Sequence, residues 1–414
     1  MIDGCGWSHA GGGVVGAGTA RMLAGLLEAG HAAGLEQVPS LAGEHAAEAG
    51  IHDVRVYLVD LQQDVLRLLA APELAGEGDP FELRIETTSA GRAFQEARIL
   101  ALPGAGGRPH QWWVPLLDGT ERLGVLRVTA WDAAEPAEEE LRALASLVGL
   151  LLVSKRARSD AYAQLVRTRP MHVAAEMQWN LMPPLTFADE HLAISAMLEP
   201  AYEIGGDTFD YAVTDQHANL AIFDAMGHDA SAGLTASLAM AACRNNRRRG
   251  VDLIETSEAI ERVLIEQFGQ ATRFVTAILA DLDISTGTLN WVNRGHHPPV
   301  VIRGGRWTTP LRCPPAHPMG LDLGLPVTLC HDRLEPGDRV LFYTDGITEA
   351  RDPTGREFGL DRFVDFVIRH TADCLPISET LRRLIHNILE YHGGHLQDDA
   401  TVLLAEWHGP SHGP

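Results

Sequence analysis

Apolar residues in "ARMLAGLLEAGHAAGLEQV", from about Thr19 onward, recur every three or four positions. That is the period of an amphipathic helix. The period then shortens to two. "VRVYLVD", Val54 to Asp60, alternates like a strand, "VLRLLAA" reads as its neighbour, and "QQD" between them reads as a hairpin turn. "SAGRAFQEARIL" predicts a short helix, and "WWVPLLDGTERLGVLRVTA" predicts two strands joined at Asp118-Gly119. Leu141, Leu144, Leu147, Val148, Leu151 and Leu152 then restore helical spacing, and the apolar stripe they form calls for a packing partner. Pro170 interrupts the next helical stretch, and Pro183 and Pro184 end "HVAAEMQWNLMPPL".

Beyond about Thr186 the pattern changes to short strands, tight turns and glycines. "LAISAML", "LAIFDAM", "FVTAILADLD", "TLNWVNRG", "PVVIRG", "RVLFYTDG" and "ATVLLAEW" are strand candidates, which predicts a β-sandwich with helices on its faces. The glycine-rich opening satisfies GxGxxG at Gly11, Gly13 and Gly16. No strand precedes it, so the dinucleotide context is missing and the stretch reads as a leader.

Charge and cysteine usage narrow the function classes. Asp and Glu outnumber Lys and Arg 55 to 33, a net charge of −22, which argues against nucleic acid as the main partner. Cys5, Cys243, Cys313, Cys330 and Cys374 form no CxxC pair, the usage of a reducing compartment. Cys313, His317, Cys330 and His331 fit no standard zinc spacing. There is no signal-peptide pattern, and the longest apolar run, Ala143 to Val153, is too short to cross a bilayer. A cytoplasmic location, without membrane attachment, is the expectation.

Four stretches of the second region each set an aspartate at or near a strand end beside a small residue. They are "EIGGDTFDYAV" (Asp207, Asp210), "LAIFDAMGHDASAG" (Asp224, Asp229), "VLFYTDGITEA" (Asp345) and "HLQDDATVLLAEW" (Asp398, Asp399). Singly, an Asp-Gly at a strand end is more often a turn. Gathered at one sheet edge, the carboxylates would raise one another's pKa, and a hard divalent cation bound by oxygen would remove the conflict.

The order of "YLVD", "AGRAF" and "WVPLLDGTERLGVLRV" resembles a GAF domain, which implies either a small-molecule sensor or a structural, dimerising module. The order of "GGDTFD", "DAMGHDASA", "FVTAILADLD", "VNRGHHPPVVIRGG", "VLFYTDGITEARDPTGREFGLDRF" and "DDATVLLAEW" resembles the catalytic domain of PPM-type (type 2C-like) Ser/Thr protein phosphatases, nearest the bacterial sporulation and stress-response (SpoIIE-like) branch. Together they imply an α+β chain of two domains, a GAF-like α/β sensor module followed by an α-β-β-α sandwich phosphatase domain. The expected division is 1–18 leader, 19–154 sensor, 155–185 linker helices, 186–408 phosphatase and 409–414 tail.

The phosphatase resemblance implies two Mn²⁺ or Mg²⁺ ions held by Asp207, Asp224, the backbone carbonyl of Ala225, Asp345 and Asp398. The catalytic residues it implies are Asp224 and, as a proton donor to the leaving group, His228, for which a local structural role is the alternative. Ala225 stands where many relatives carry glycine, and only its carbonyl is needed. Asp229 reads most simply as a helix N-cap. Asp210 and Asp399 would bind metal through water, orient a ligand, or serve as plain strand-end residues. His296 and His297 read as turn-stabilising rather than ligating. Arg244, Arg247, Arg248 and Arg249 suit a helix dipole or the attraction of an acidic phosphoprotein. The implied partners are a phosphorylated regulatory protein such as an anti-sigma-factor antagonist, a ligand of the GAF-like domain, and a second copy in a homodimer. The rival reading is a catalytically inactive phosphoprotein-binding scaffold.

Overall fold

A computed structural model describes residues 16–69, 80–104, 109–130, 136–203, 205–352, 354–371, 376–392, 396 and 398–410. Cys5, Gly11, Gly13, Cys374 and the last four residues of the tail lie outside the described residues. Contacts divide the chain into two compact units, Met1–Arg169 and Pro170–Pro414.

The first unit runs α1 (Ala17–Ala32), α2 (Val38–Ala46), β1 (His52–Val59), β2 (Val65–Leu68), β3 (Glu82–Arg84), α3 (Ser89–Glu96), β4 (Leu100–Leu102), β5 (His110–Asp118), β6 (Glu121–Ala130), α4 (Glu138–Arg156) and α5 (Asp160–Val166). Its strands form one antiparallel sheet in the order β3-β2-β1-β6-β5-β4. Leu141, Leu144, Val148 and Leu152 bury the stripe of α4 in a core with Met22, Leu26, Val56 and Leu126. The β1–β2 turn closes on the Asp60 carboxylate, which accepts from the amides of Asp64 and Val65. Val166 of α5 joins the same core and its carbonyl accepts from the Leu61 amide.

The second unit begins with α6 (Val173–Leu181), followed by β7 (Thr186–Ala188), β8 (Leu192–Glu199), β9 (Asp207–Val213), β10 (His217–Ala225), α7 (Ala230–Arg248) and α8 (Leu253–Phe268). It continues with β11 (Val275–Asp283), β12 (Thr288–Arg294), β13 (Val300–Arg303), β14 (Trp307–Pro310), β15 (Cys330–Arg333), β16 (Asp338–Tyr343), α9 (Asp345–Thr348), α10 (Leu360–Thr371), α11 (Ile377–Tyr391) and β17 (Ala400–Trp407). One antiparallel sheet has the order β15-β12-β11-β10-β9, the other β14-β13-β16-β17-β8-β7. Ile222, Ile278 and Trp291 of the first sheet pack against Ile194, Phe342 and Leu403 of the second. Alternate residues point outward. Phe223, Ala277 and Leu279 pack with Met240, Ile260 and Leu264 of α7 and α8. Leu341, Val402 and Leu404 pack with Phe363, Leu384 and Ile388 of α10 and α11. The result is the α-β-β-α sandwich that the strand pattern predicted. The β9 stretch, which begins on a buried Asp207, was not among the strand candidates.

The cysteine reading needs a correction. Cys313 and Cys330 are joined in a disulfide, and Cys243 is buried and free. Pairing of β15 with β12 sets Cys330 opposite Trp291, where it packs half-buried against the sandwich core that holds Cys313, a meeting which the separation of 17 residues along the chain conceals. The zinc alternative falls with it, since His317 turns instead to Glu261, with its Nε2 2.9 Å from the carboxylate.

Candidate metal centre

Strand register brings the acidic stretches to one rim of the sandwich. β9 and β10 pair so that Asp207 stands opposite Asp224, while β10 and β11 pair Asp224 with Thr276 and Ala225 with Val275. From the other sheet, β16 ends at Tyr343 and Asp345 opens α9, while Asp398 and Asp399 lead into β17 beside it. Asp207 and Asp399 are buried, Asp224 and Asp345 are half-buried, and Asp398 is exposed.

The electrostatic conflict predicted for gathered aspartates is present. Burial pushes the Asp224 carboxyl up to about 7, and the charges of Asp345 and Asp398 add to the rise. Burial likewise raises Asp207 well above the carboxylate range, with Asp224 and Asp399 contributing. The carboxylates feel one another's charge, yet among the described residues no three carboxylate, imidazole or thiol groups already surround a common point as ligands would.

Backbone approach at the rim demands small residues. A Cβ on Gly206 would lie 2.4 Å from the Ala225 carbonyl oxygen, and one on Gly346 would lie 2.0 Å from that of Asp399. Neither position admits a side chain, so in each sheet a glycine lets two neighbouring acidic segments approach closely. An all-oxygen donor set, mutual carboxylate repulsion and a backbone carbonyl beside small residues together fit a hard divalent cation.

A ring of neutral groups holds the carboxylates in place. The Asp399 Oδ2 atom accepts from the amides of Gly205 (2.9 Å), Gly206 (2.7 Å) and Asp207 (3.2 Å). Burial nevertheless raises Asp399, with these three amides acting in the opposite direction. Asp399 is therefore more than a plain strand-end residue, since it anchors the Gly205–Asp207 backbone. Thr344 donates to Asp207 at 2.6 Å and accepts from the Thr401 amide at 2.9 Å. The buried Gln178 of α6 donates to the carbonyls of Gly205 and Asp207, both at 3.1 Å. Thr344, Thr276 and Gln178 were not singled out from sequence. The usable signal was a threonine or glutamine at an otherwise apolar, inward position.

Other expectations resolve differently. Asp210 is not a metal residue: with its side chain 1% exposed, it receives Arg244 and Arg247. This also corrects the reading of those two arginines, whose charge is spent inside the fold. Arg248 and Arg249 remain exposed. Asp229 caps α7, accepting from the Ala232 amide at 2.8 Å. His228 lies exposed in the loop between β10 and α7, with its backbone packed against Gly205. His296 is buried and touches no carboxylate; its ring nitrogens meet Thr276 Oγ1 and the Tyr343 carbonyl.

Much of the second unit matches a known family. Residues 214–408 match the family described as Stage II sporulation protein E (SpoIIE). The C-terminal unit carries a SpoIIE-type phosphatase domain. Protein IcfG of Synechocystis sp. is 24% identical over 259 residues, 56% of this chain and 40% of that protein. Phosphoserine phosphatase RsbU of Bacillus subtilis is 23% identical over 236 residues, 56% of this chain and 69% of RsbU. Phosphoserine phosphatase RsbP of the same organism is 25% identical over 243 residues, 58% of each chain. The chain thus spans between two fifths and about two thirds of the length of these curated relatives. No helix among the described residues is long and apolar enough to cross a membrane.

Proposed function

We propose that the SpoIIE-type domain is a divalent-metal-dependent phosphatase acting on phosphoserine or phosphothreonine in a regulatory protein. The observation that carries this is the Asp224 carboxyl, lifted to about 7 by burial and by Asp345 and Asp398. Such a conflict costs stability unless a cation resolves it. Two relatives bearing the name phosphoserine phosphatase support the substrate class.

In this proposal Asp207, Asp224, the Ala225 carbonyl, Asp345 and Asp398 hold two Mn²⁺ or Mg²⁺ ions. When bound, such ions supply a hydroxide nucleophile near neutral pH and offset charge on the phosphoryl oxygens. The chain's own residues do the positioning. Asp399 fixes the Gly205–Asp207 backbone, and Thr344 fixes one oxygen of Asp207. Exposed His228, at the same rim, donates a proton to the leaving serine or threonine oxygen.

The first unit, with its six-stranded antiparallel sheet, acts in this reading as a GAF-like sensor for a small molecule and as a homodimerising module. The substrate is a phosphorylated signalling protein of the anti-sigma-factor-antagonist type. A cytoplasmic location belongs to the same proposal, and there the Cys313–Cys330 bond meets cellular reductants.

Release of inorganic phosphate from a phosphoserine peptide, with and without Mn²⁺, tests the reading. Metal-dependent release that disappears in Asp345→Asn supports it. Tight phosphopeptide binding with no release at any Mn²⁺ concentration would mark a binding scaffold instead.

A further inference from the structure

We propose that His296 is a positioning residue for the metal centre: it clamps the two sheets of the sandwich together at the rim that carries Asp224 and Asp345. The inference rests on the metal-dependent reading above and extends it to a residue outside the carboxylate set.

The clamp is a chain of two directed hydrogen bonds. His296 Nε2 lies 3.0 Å from the Tyr343 carbonyl oxygen, which only accepts, so Nε2 carries the ring hydrogen. Burial, with His297 nearby, pushes the imidazole down to about 3, so the ring is neutral and Nδ1 is a bare acceptor. Thr276 Oγ1, 2.7 Å from Nδ1, therefore donates its single proton to His296. Asp224 Oδ2 lies 3.4 Å from that same hydroxyl oxygen, so its lone pairs stay free.

The two ends of this chain belong to different sheets. Thr276 is the cross-strand partner of Asp224 on β11. Tyr343 is the last residue of β16, and Thr344 and Asp345 follow it directly. A neutral imidazole thus sets how far the Asp224 strand stands from the Asp345 turn, on the flank opposite to the one held by Asp399.

His296 is itself held with little freedom. Its amide donates to Asn293 Oδ1 and its carbonyl accepts from Asn293 Nδ2, both at 2.9 Å. Gly295 has φ +74°, and a Cβ there would lie 2.9 Å from Pro318. The turn of "NRGHH" is thereby fixed, and its purpose is the placement of the buried ring rather than turn stability alone. Charge plays no part, so the clamp holds wherever the fold does.

Mn²⁺ affinity of the full chain, measured by titration calorimetry, tests the proposal alongside circular dichroism and melting in EDTA. His296→Ala and Thr276→Val are expected to weaken binding about 10–100-fold, the range for residues that orient metal ligands. Thr276→Ser keeps the hydroxyl and is expected to stay within about threefold of the parent. Thr276→Val is nearly isosteric and decides the matter if His296→Ala does not fold. Parent-like affinity in Thr276→Val, or equal losses in the Val and Ser variants, overturns the clamp while leaving the metal site intact. A parent protein that binds no Mn²⁺ overturns the metal reading and the clamp with it.

Discussion

Neutralising Asp224 should make the metal-free protein more stable, although it removes a central metal ligand. The Asp224 carboxyl is pushed from 3.8 to about 7, first by burial and then by Asp345 and Asp398. The unfolded chain gives up this proton near 3.8, while the folded chain keeps it until about 7. Stability is therefore lost as pH rises through that window and levels off above it. At 1.36 kcal/mol per pKa unit the full cost is about 4 kcal/mol, and sharing of charge among coupled carboxylates brings the expectation to about 2–4 kcal/mol. Asp224→Asn removes this cost. For a unit the size of Pro170–Pro414, that is a rise in Tm on the order of 5–15 °C. The assay is scanning calorimetry of the full chain in EDTA at pH 5 and pH 8, following the transition of the second unit. The variant should melt well above the parent at pH 8 and less than half as far above it at pH 5, where only part of the cost has built up, and Mn²⁺ should raise the parent more than the variant. A variant that melts at or below the parent at pH 8 in EDTA would refute the reasoning.

Three further outcomes follow from the structure. Asp210→Ala strands Arg244 and Arg247 and should cost about 3–5 kcal/mol in urea unfolding, with Mn²⁺ affinity unchanged because Asp210 serves the fold and not the site. Asp399→Ala leaves the Gly205, Gly206 and Asp207 amides without an acceptor. At about 1–3 kcal/mol for a buried group left unpaired, this should lower stability by several kcal/mol in urea unfolding and weaken Mn²⁺ binding in calorimetric titration. Replacing both Cys313 and Cys330 by serine opens a link across 17 residues. By loop entropy this should cost about 3 kcal/mol, read as a lower melting temperature that added dithiothreitol does not lower further.

Much of this molecule is legible from periodicity. Continuous apolar runs such as that before Asp345 mark strands buried on both faces, and the alternation near Val54 marks the first unit's sheet. The aspartates were visible because a carboxylate ending such a run needs a reason. Asp210 shows where that logic fails. It sits three residues from Asp207 in the same strand, and only tertiary packing decides that it faces two arginines of α7. Cys313 and Cys330 show the same limit, since nothing local reveals that β15 returns beside the end of the β14 strand's loop. Thr276, Thr344 and Gln178 were silent because their types are common in strands and helices, and their importance lies in what a single hydroxyl or amide reaches. His296 was read as a turn residue, which it is, but the two sheets its ring joins belong to the fold and not to the local sequence.

The claim beneath all of this is that mutual repulsion at the sandwich rim is resolved by bound cations. Equilibrium dialysis of the full chain against Mn²⁺ at pH 8 counts them directly. The account predicts two ions per chain in the parent and a loss of bound metal in Asp224→Asn and Asp345→Asn. Binding of no ion by the parent, or the same number by all three proteins, would contradict it.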